Sequence, residues 1–256
     1  MKIIAVIPAR MASTRFPGKV LFPVYGFPMI EHVRRRATLT KSLSEVIVAT
    51  CDDDIASAIR QYGGKVIMTK KSHENGTTRV AEAIKKIDCT HAVLLQADEP
   101  LLLPRHIDTI VDMIYKDPNC DVWNLTSPIQ NMDELDQKSI VKCSTSKTGR
   151  ILYCFRRSPG YSDFLKQKTY IHKMLGIIAY RKDFLINLAS LKESSIEGSE
   201  SIEQMRILEN DYILRSVEVT PSLPSVNEPH EIELILNKLK QDNEQIEILK
   251  RVMNVF

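Results

Sequence analysis

The sequence predicts an α/β fold built on a doubly wound, mostly parallel sheet, and three observations carry that prediction. Short apolar runs rich in β-branched residues recur through the first half of the chain: IIAVI at 3–7, EVIVAT at 45–50, KVIMT at 65–69 and HAVLLQ at 91–96. Amphipathic stretches with helical spacing separate them. A cluster of cations follows the first run directly, and a carboxylate follows the fourth. Strands apolar on both faces, alternating with helices, are the pattern of a parallel sheet with right-handed crossovers. In such sheets ligands bind at the carboxyl ends of the strands, where both chemical signals stand.

The first strand is expected to end at Pro8, which has no N–H for a ladder. The loop after it runs Ala9-Arg10-Met11-Ala12-Ser13-Thr14-Arg15-Phe16-Pro17-Gly18-Lys19. Three cations and two hydroxyls in so short a stretch complement a polyanion, a triphosphate before others. A solvated basic loop is the plain alternative, but Pro17-Gly18 gives this loop a defined turn and the apolar strand fixes its start. It is not a P-loop, because Ser13 stands where the first glycine would be, and the chain has no G-x-G-x-x-G.

A turn through 20–28 leads into a helix expected at 29–40, with Pro28 suited to a first turn and Ile30, Val33 and Ala37 on the apolar face. After the second strand, Asp52 is placed to cap a helix that carries Ile55, Ala58 and Ile59 and stops at Gly63-Gly64. The third strand passes through 72–79 into a helix that reaches Ile87, and the fourth ends at Ala97-Asp98-Glu99-Pro100. A helix to Lys116 and a strand at 121–126 continue the pattern.

The stretch 140–180 reads differently. VKCSTSKTGRILYCF is a hairpin with its turn at Lys147-Thr148-Gly149, 156–168 is polar and irregular, and MLGIIAY at 174–180 is a buried strand. A helix at 182–189, a Ser/Glu/Gly-rich loop to Glu200, a helix at 201–210 and a strand at 213–219 follow. One closing helix is expected over 231–253, with Ile232, Ile235, Leu239, Ile246, Leu249 and Val252 inward. The expected organisation is one domain over 1–256 with a β-rich lobe around 140–180.

Composition excludes several classes of function. The 256 residues are 43% hydrophobic and 26% charged, ordinary for a globular protein. A net charge of +3 with dispersed basic residues gives no footprint for nucleic acid. No apolar run approaches the ~20 residues of a membrane span, and the start of the chain does not read as a signal peptide. Five cysteines without C-x-x-C pairing or metal-ligand spacing read as reduced core thiols of a cytoplasmic protein.

Gln96-Ala97-Asp98-Glu99-Pro100 is the second chemical signal. Asp98 lies on the same sheet edge as the cationic loop, where a carboxylate can hold a magnesium ion that bridges to substrate phosphates. Glu99-Pro100 also suits a turn, so Asp98 as a cap or turn aspartate stays open.

Five blocks in order, IPARMASTRFPGK, HENGTTRVAEA, QADEP, GIIAYR and SIEQMRILEN, resemble the cytidylyltransferases that activate 3-deoxy-manno-octulosonate (Kdo) as its CMP derivative. The resemblance runs nearly end to end, and its first block is close to the family's I-P-A-R-x-x-S-T-R-x-P-G-K. It implies a Rossmann-like, GT-A-like nucleotidyltransferase fold with a small β dimerisation lobe. It also implies magnesium, and a cytoplasmic homodimer that serves lipopolysaccharide biosynthesis. The implied reaction is attack of the sugar acid's anomeric hydroxyl on the α-phosphate of CTP, with loss of pyrophosphate.

By the same resemblance Arg10, Arg15, Lys19 and Asp98 are the catalytic set. Pro8, Ala9, Arg10, Ser13, Lys19, Asn75, Gly76 and Thr77 are nucleotide-binding. Arg79, Gln96, Arg156, Tyr180, Glu203 and Gln204 face the sugar, and Asp98 and Asn227 are the metal positions. Arg79 as a surface helix residue, and Glu203-Gln204 as a solvated helix face, are the plain readings of the same positions.

The departures fall on the acceptor side. The family's H-x-G-I-Y-x-Y reads here as Met174-Leu175-Gly176-Ile177-Ile178-Ala179-Tyr180, which removes a histidine and a tyrosine. His172 lies two residues away on the same strand face. The family's second magnesium aspartate falls on Asn227, which can ligate but brings no charge, with Glu228 beside it. Two rivals follow: a non-catalytic nucleotide-binding relative, and a nucleotidyltransferase for a different sugar acid. A glycosyltransferase using a nucleotide sugar is disfavoured, since no Asp-x-Asp stands at the relevant strand end and Asp52-Asp53-Asp54 reads as a helix cap.

Overall fold

A computed structural model describes residues 1–13 and 15–254. Thr14, one of the two hydroxyl residues expected in the cationic loop, lies outside the described residues. The chain divides into two compact units, 1–108 with 223–256, and 109–222.

The first unit is the expected parallel α/β layer. Its strands are β1 (Ile3–Ala9), β4 (Glu45–Thr50), β5 (Lys65–Met68) and β6 (His91–Leu95). A small antiparallel pair, β2 (Pro23–Val24) with β3 (Phe27–Pro28), occupies what reads in the sequence as a simple turn. Helices α1 (Met29–Thr38), α2 (Asp53–Gln61) and α3 (Gly76–Ile84) make the crossovers. The parallel order is β6-β1-β4-β5, so the chain steps outward from β1 on one side and then returns to its other side. That reversal is the topological switch point at which loops part and ligands enter. Every residue of β1 is buried. The strand runs one residue past Pro8: the ladder to β6 ends at Val6–Leu94, while that to β4 continues to Ala9–Thr50.

Helix α1 buries Ile30, Val33 and Ala37 completely, as their spacing predicts. It also buries His32, whose Nε2 lies 2.6 Å from the Val24 carbonyl and donates to it in the neutral ring. His32 Nδ1 has no partner among the described residues. Burial, with the charges of Arg36 and Arg35 nearby, lowers the His32 pKa to about 4 against an ordinary 6.5. Between those values the unfolded chain binds more protons than the folded one, so stability is lost as pH falls through that window. The loss reaches about 3 kcal/mol at pH 4. Urea midpoints at neutral and acid pH should show it, and His32→Gln, which can still donate to Val24, should flatten the slope. An unchanged slope in that variant would assign the acid sensitivity to another group.

The closing segment differs from expectation. It is two helices, α10 (Glu231–Gln241) and α11 (Asn243–Met253), broken at Asp242. The extended backbone of Asp242 lets its side chain accept from the Gln245 N–H, which caps α11. Ile232, Ile235 and Leu239 join Val24, Met29, Leu101 and Val226 in one apolar cluster, and Ile248 and Val252 join Leu103 in another. Helix α4 (Pro104–Lys116) spans the division between the units.

The second unit is mixed. Strand β7 (Val122–Pro128) pairs antiparallel with β10 (Ile171–Arg181) and parallel with β11 (Arg215–Glu218). The expected hairpin is β8 (Lys142–Thr145) with β9 (Ile151–Phe155), and Gly149 in its turn has φ +78°. The short helices α5 (Asp133–Asp136) and α6 (Phe164–Gln167) lie in stretches without helical periodicity. Helix α7 (Lys182–Leu188) is as expected; the Ser/Glu/Gly-rich loop instead contains α8 (Ser195–Glu200), started by a Ser194/Glu197 capping box. The helix expected over 201–210 shortens to α9 (Met205–Glu209), because Ser201 turns left-handed at φ +53°. Glu203 and Gln204 therefore stand in a turn rather than on a helix face.

All five cysteines are free, four of them buried, and burial pushes the Cys143 thiol up to about 12. Among the described residues no helix is long and apolar enough to cross a membrane.

Candidate active site

Because β1 and β6 are neighbours in the first unit, their carboxyl ends bring the cationic loop and Asp98 together. Lys19 Nζ lies 2.5 Å from Asp98 Oδ2 and 2.9 Å from the Val226 carbonyl. The Val226 N–H in turn donates to the Asp98 carbonyl at 2.9 Å, which fixes the loop before α10 against the end of β6. Arg15 Nη2 donates to Asn227 Oδ1 at 3.2 Å. Residues from three separate stretches of the chain thus supply two cations, one carboxylate and one amide. Arg10 is exposed and has no ion-pair partner among the described residues.

The loop has a built base. The Gly18 N–H donates to the Met11 carbonyl at 3.2 Å, and Gly18 takes φ +71°, a conformation glycine adopts without strain. The Met11 N–H donates to Asp52 Oδ2 at 2.8 Å. Asp52 makes no side-chain cap bond to α2, so the expected helix cap is instead a latch on the cationic loop. In the sequence Asp52 reads only as a cap; its place directly after a parallel strand, at the edge where ligands bind, is the signal that could have found this role. Ser13 Oγ accepts from the Phe16 N–H at 3.4 Å.

The N-terminus of α3 abuts the same strand end. A Cβ on Gly76 would lie 3.2 Å from Pro8 Cγ, so the absent side chain permits the approach. Asn75 caps the helix by accepting from the Thr78 N–H at 2.9 Å, and Thr77 is buried. The remaining first-turn N–H groups of a capped helix favour an anion there. Arg79 is buried and donates to Thr69 Oγ1 at 2.6 Å, which ties α3 to the end of β5. Gln96 is half-buried at the first position after β6.

Arg156, Tyr180, Glu203 and Gln204 belong to the second unit. Arg156 donates to the Glu200, Ser201 and Lys138 carbonyls at 2.8, 2.8 and 3.0 Å, so its guanidinium fastens the turn that carries Glu203-Gln204. Gln204 Nε2 donates to Asn124 Oδ1 at 3.2 Å, and Asn124 Nδ2 donates to the Leu175 carbonyl at 2.9 Å. This chain closes over the register shift between Met174 and Ile178. Tyr180 is buried, and the aliphatic Ile178 is buried beside it in the same strand. His172 pairs with Glu218 at 3.0 Å, so the displaced histidine is committed locally. Asn124, an uncharged residue inside a strand, carried no signal in the sequence.

Among the described residues no three His, Cys, Asp or Glu side chains are placed to hold a metal ion. Asp98, the Val226 carbonyl and the Asn227 amide offer one charge and hard oxygens from three groups. That donor set is too weak for an all-protein cage and fits an ion held jointly with substrate phosphates. Glu228 faces His230 at 3.5 Å, and the Glu231 carboxylate accepts from the Asn227 and Glu228 N–H groups at 2.5 and 2.8 Å.

Comparison with known proteins bears on the family and the fold. Residues 4–217 match the model of the cytidylyltransferase family. The 3-deoxy-manno-octulosonate cytidylyltransferase of Geobacter sulfurreducens is 39% identical over 251 residues, covering 94% of this chain and 100% of that protein. The Escherichia coli protein of the same description is 37% identical over 241 residues, covering 94% and 97%. Among solved structures, a CMP:2-keto-3-deoxy-manno-octonic acid synthetase complexed with CTP matches with a TM-score of 0.89 at 36% identity, over 94% of this chain and 100% of that one. A 4-diphosphocytidyl-2C-methyl-D-erythritol synthase from Anaerococcus prevotii shares the fold alone, at a TM-score of 0.65 and 13% identity.

Proposed function

The chain belongs to the 3-deoxy-manno-octulosonate cytidylyltransferase family, and from that premise we propose how its own residues carry the reaction. It transfers CMP from CTP to the anomeric hydroxyl of Kdo and releases pyrophosphate. The anomeric oxygen forms a bond to the α-phosphorus, the bond from that phosphorus to the bridging oxygen of pyrophosphate breaks, and the hydroxyl proton leaves to solvent. The observation that carries the reading is the convergence of Lys19, Asp98, Arg15 and Asn227 at the switch point.

Little covalent work falls to the protein in such a transfer; positioning and charge neutralisation do most of it. Arg10, Arg15 and Lys19 receive the triphosphate, with Lys19 nearest the phosphorus in flight. Pro8, Ala9 and Ser13 shape the loop, and the Asp52 latch holds its base. Asn75, Gly76 and Thr77 offer a helix N-terminus to the nucleotide. Asp98 and Asn227 would hold a magnesium ion, which when bound supplies positive charge against the phosphate oxygens. Glu203 and Gln204 contact the sugar acid, and Arg156 holds the turn that carries them; in the first unit Gln96 stands at the end of β6 and Arg79 ties α3 to β5.

The acceptor is Kdo or a close keto-sugar acid, since Met174 and Ile178 remove two polar groups from the acceptor side. The protein works as a cytoplasmic homodimer. Exposed Leu152 and Tyr153 on β9, which pairs with β8 alone among the described strands, support a second copy there. Purified protein with CTP, magnesium and a panel of sugar acids should release pyrophosphate with Kdo or a related acid. No release with any acid would leave a nucleotide-binding relative as the reading.

A further inference from the structure

Three of the oxygens beside a divalent ion's place at Asp98 (Asp98 Oδ2, the Val226 carbonyl and Asn227 Oδ1) are already paired with the chain's own cations. The Lys19 ammonium donates to both Asp98 Oδ2 and the Val226 carbonyl, at 2.5 and 2.9 Å. Asn227 Oδ1 accepts from Arg15. The Lys19–Asp98 pair is largely withdrawn from solvent, with side chains 14% and 22% exposed. Salt screens such a pair much less than a surface one. The Asp98 carboxylate thus faces the Lys19 ammonium directly, and Asn227, bonded to Arg15, adds no charge of its own.

We propose that Lys19 is the resident cation of the Asp98 oxygens, and that it excludes a divalent ion until a triphosphate draws the ammonium away. This rests on the cytidylyl-transfer reading, because CTP supplies the competing anion. A metal at Asp98 with Lys19 in place would lie within a few ångströms of an ammonium and would lack the lone pair that the ammonium occupies. A triphosphate offers Lys19 and Arg15 stronger partners. Their departure returns the carboxylate and the Asn227 oxygen to the ion. Metal and nucleotide then bind as a unit, and each strengthens the other by the same factor. The one-carboxylate site needs this exchange more than a two-carboxylate site would, since Asn227 cannot offset the ammonium.

The test is a titration of nucleotide-free enzyme with Mn(II), followed by the electron paramagnetic resonance of the free ion. Wild type should bind weakly at this site. Lys19→Met, close in shape but uncharged, should bind at least roughly tenfold more tightly, given that one charge within ~4–6 Å shifts a site's proton affinity by ~10- to 1,000-fold. Lys19→Arg should stay as weak as wild type, and adding Asp98→Asn to Lys19→Met should abolish the gain. CTP should tighten Mn(II) binding to wild type and do so far less for Lys19→Met. Equal or weaker Mn(II) binding by a folded Lys19→Met would overturn the proposal while wild-type pyrophosphate release upheld the reaction. Wild type that neither binds CTP nor releases pyrophosphate would overturn both.

Discussion

Asp98→Asn is expected to slow cytidylyl transfer by about 10²–10³-fold, the usual cost of removing one preorganised charge-stabilising group. The substitution preserves shape, keeps an oxygen toward Lys19 and leaves intact the backbone bond from the Val226 N–H to the Asp98 carbonyl. What it removes is the single carboxylate among the oxygens beside Lys19. Thermal melting should therefore stay near wild type while turnover at saturating CTP collapses and the response to added magnesium flattens. Pyrophosphate release at several metal concentrations measures both. A rate close to wild type would remove Asp98 from the reaction and leave it as a turn residue that pairs with Lys19.

Glu197→Ala should produce a large loss of stability. Glu197 and Arg206 are 4% and 7% exposed and meet through two hydrogen bonds of 2.7 Å each. Those bonds raise the Arg206 pKa above its ordinary value despite burial. The pair clasps α8 to α9, and the Glu209 carboxylate clasps them again by accepting from the Ile196 and Glu197 N–H groups at 3.0 and 3.1 Å. Between the two helices lies the turn with Glu203 and Gln204. Truncation leaves a buried guanidinium bonded to the Leu191 carbonyl at 3.3 Å, with the more distant Glu203 and Glu193 charges beside it, a situation that costs about 3 kcal/mol. In a chain of this size that lowers the melting midpoint by roughly 10 °C. Steady-state kinetics below the new midpoint should show a raised KM for the sugar acid with the KM for CTP little changed. Equal increases in both would detach this turn from the acceptor.

Much of the donor half was legible because local rules and tertiary demands agree there. Ile3 to Ile7 are buried on both faces of a parallel strand, as an unbroken apolar run requires. Asn75 caps α3, and Gly76 is the residue that can approach Pro8. Elsewhere the rules competed. Asp52 follows a strand and precedes a helix, and propensity alone assigns it to the helix, yet its oxygen goes to the Met11 N–H. The apolar spacing of 231–253 runs continuously, yet Asp242 breaks it by capping α11 with its own side chain. Glu203-Gln204 leaves the helix because a left-handed Ser201 and the Arg156 guanidinium fix a turn there, and no periodicity encodes an arginine 45 residues upstream.

By itself the sequence determined the parallel sheet, the cationic loop at its edge and a match to a polyanion, which the family resemblance made a triphosphate donor. Each of these is set by residues close together in the chain: a strand's burial, a loop's charge, a cap. Only the tertiary structure decided which cation meets which oxygen. Lys19 reaches Asp98 and Val226, and Arg15 reaches Asn227, across 79, 207 and 212 positions. Those distances close because β6 returns to the free side of β1 and α10 begins beside it. Pairing at that range follows from the order of strands in the sheet, which no local pattern of residues records.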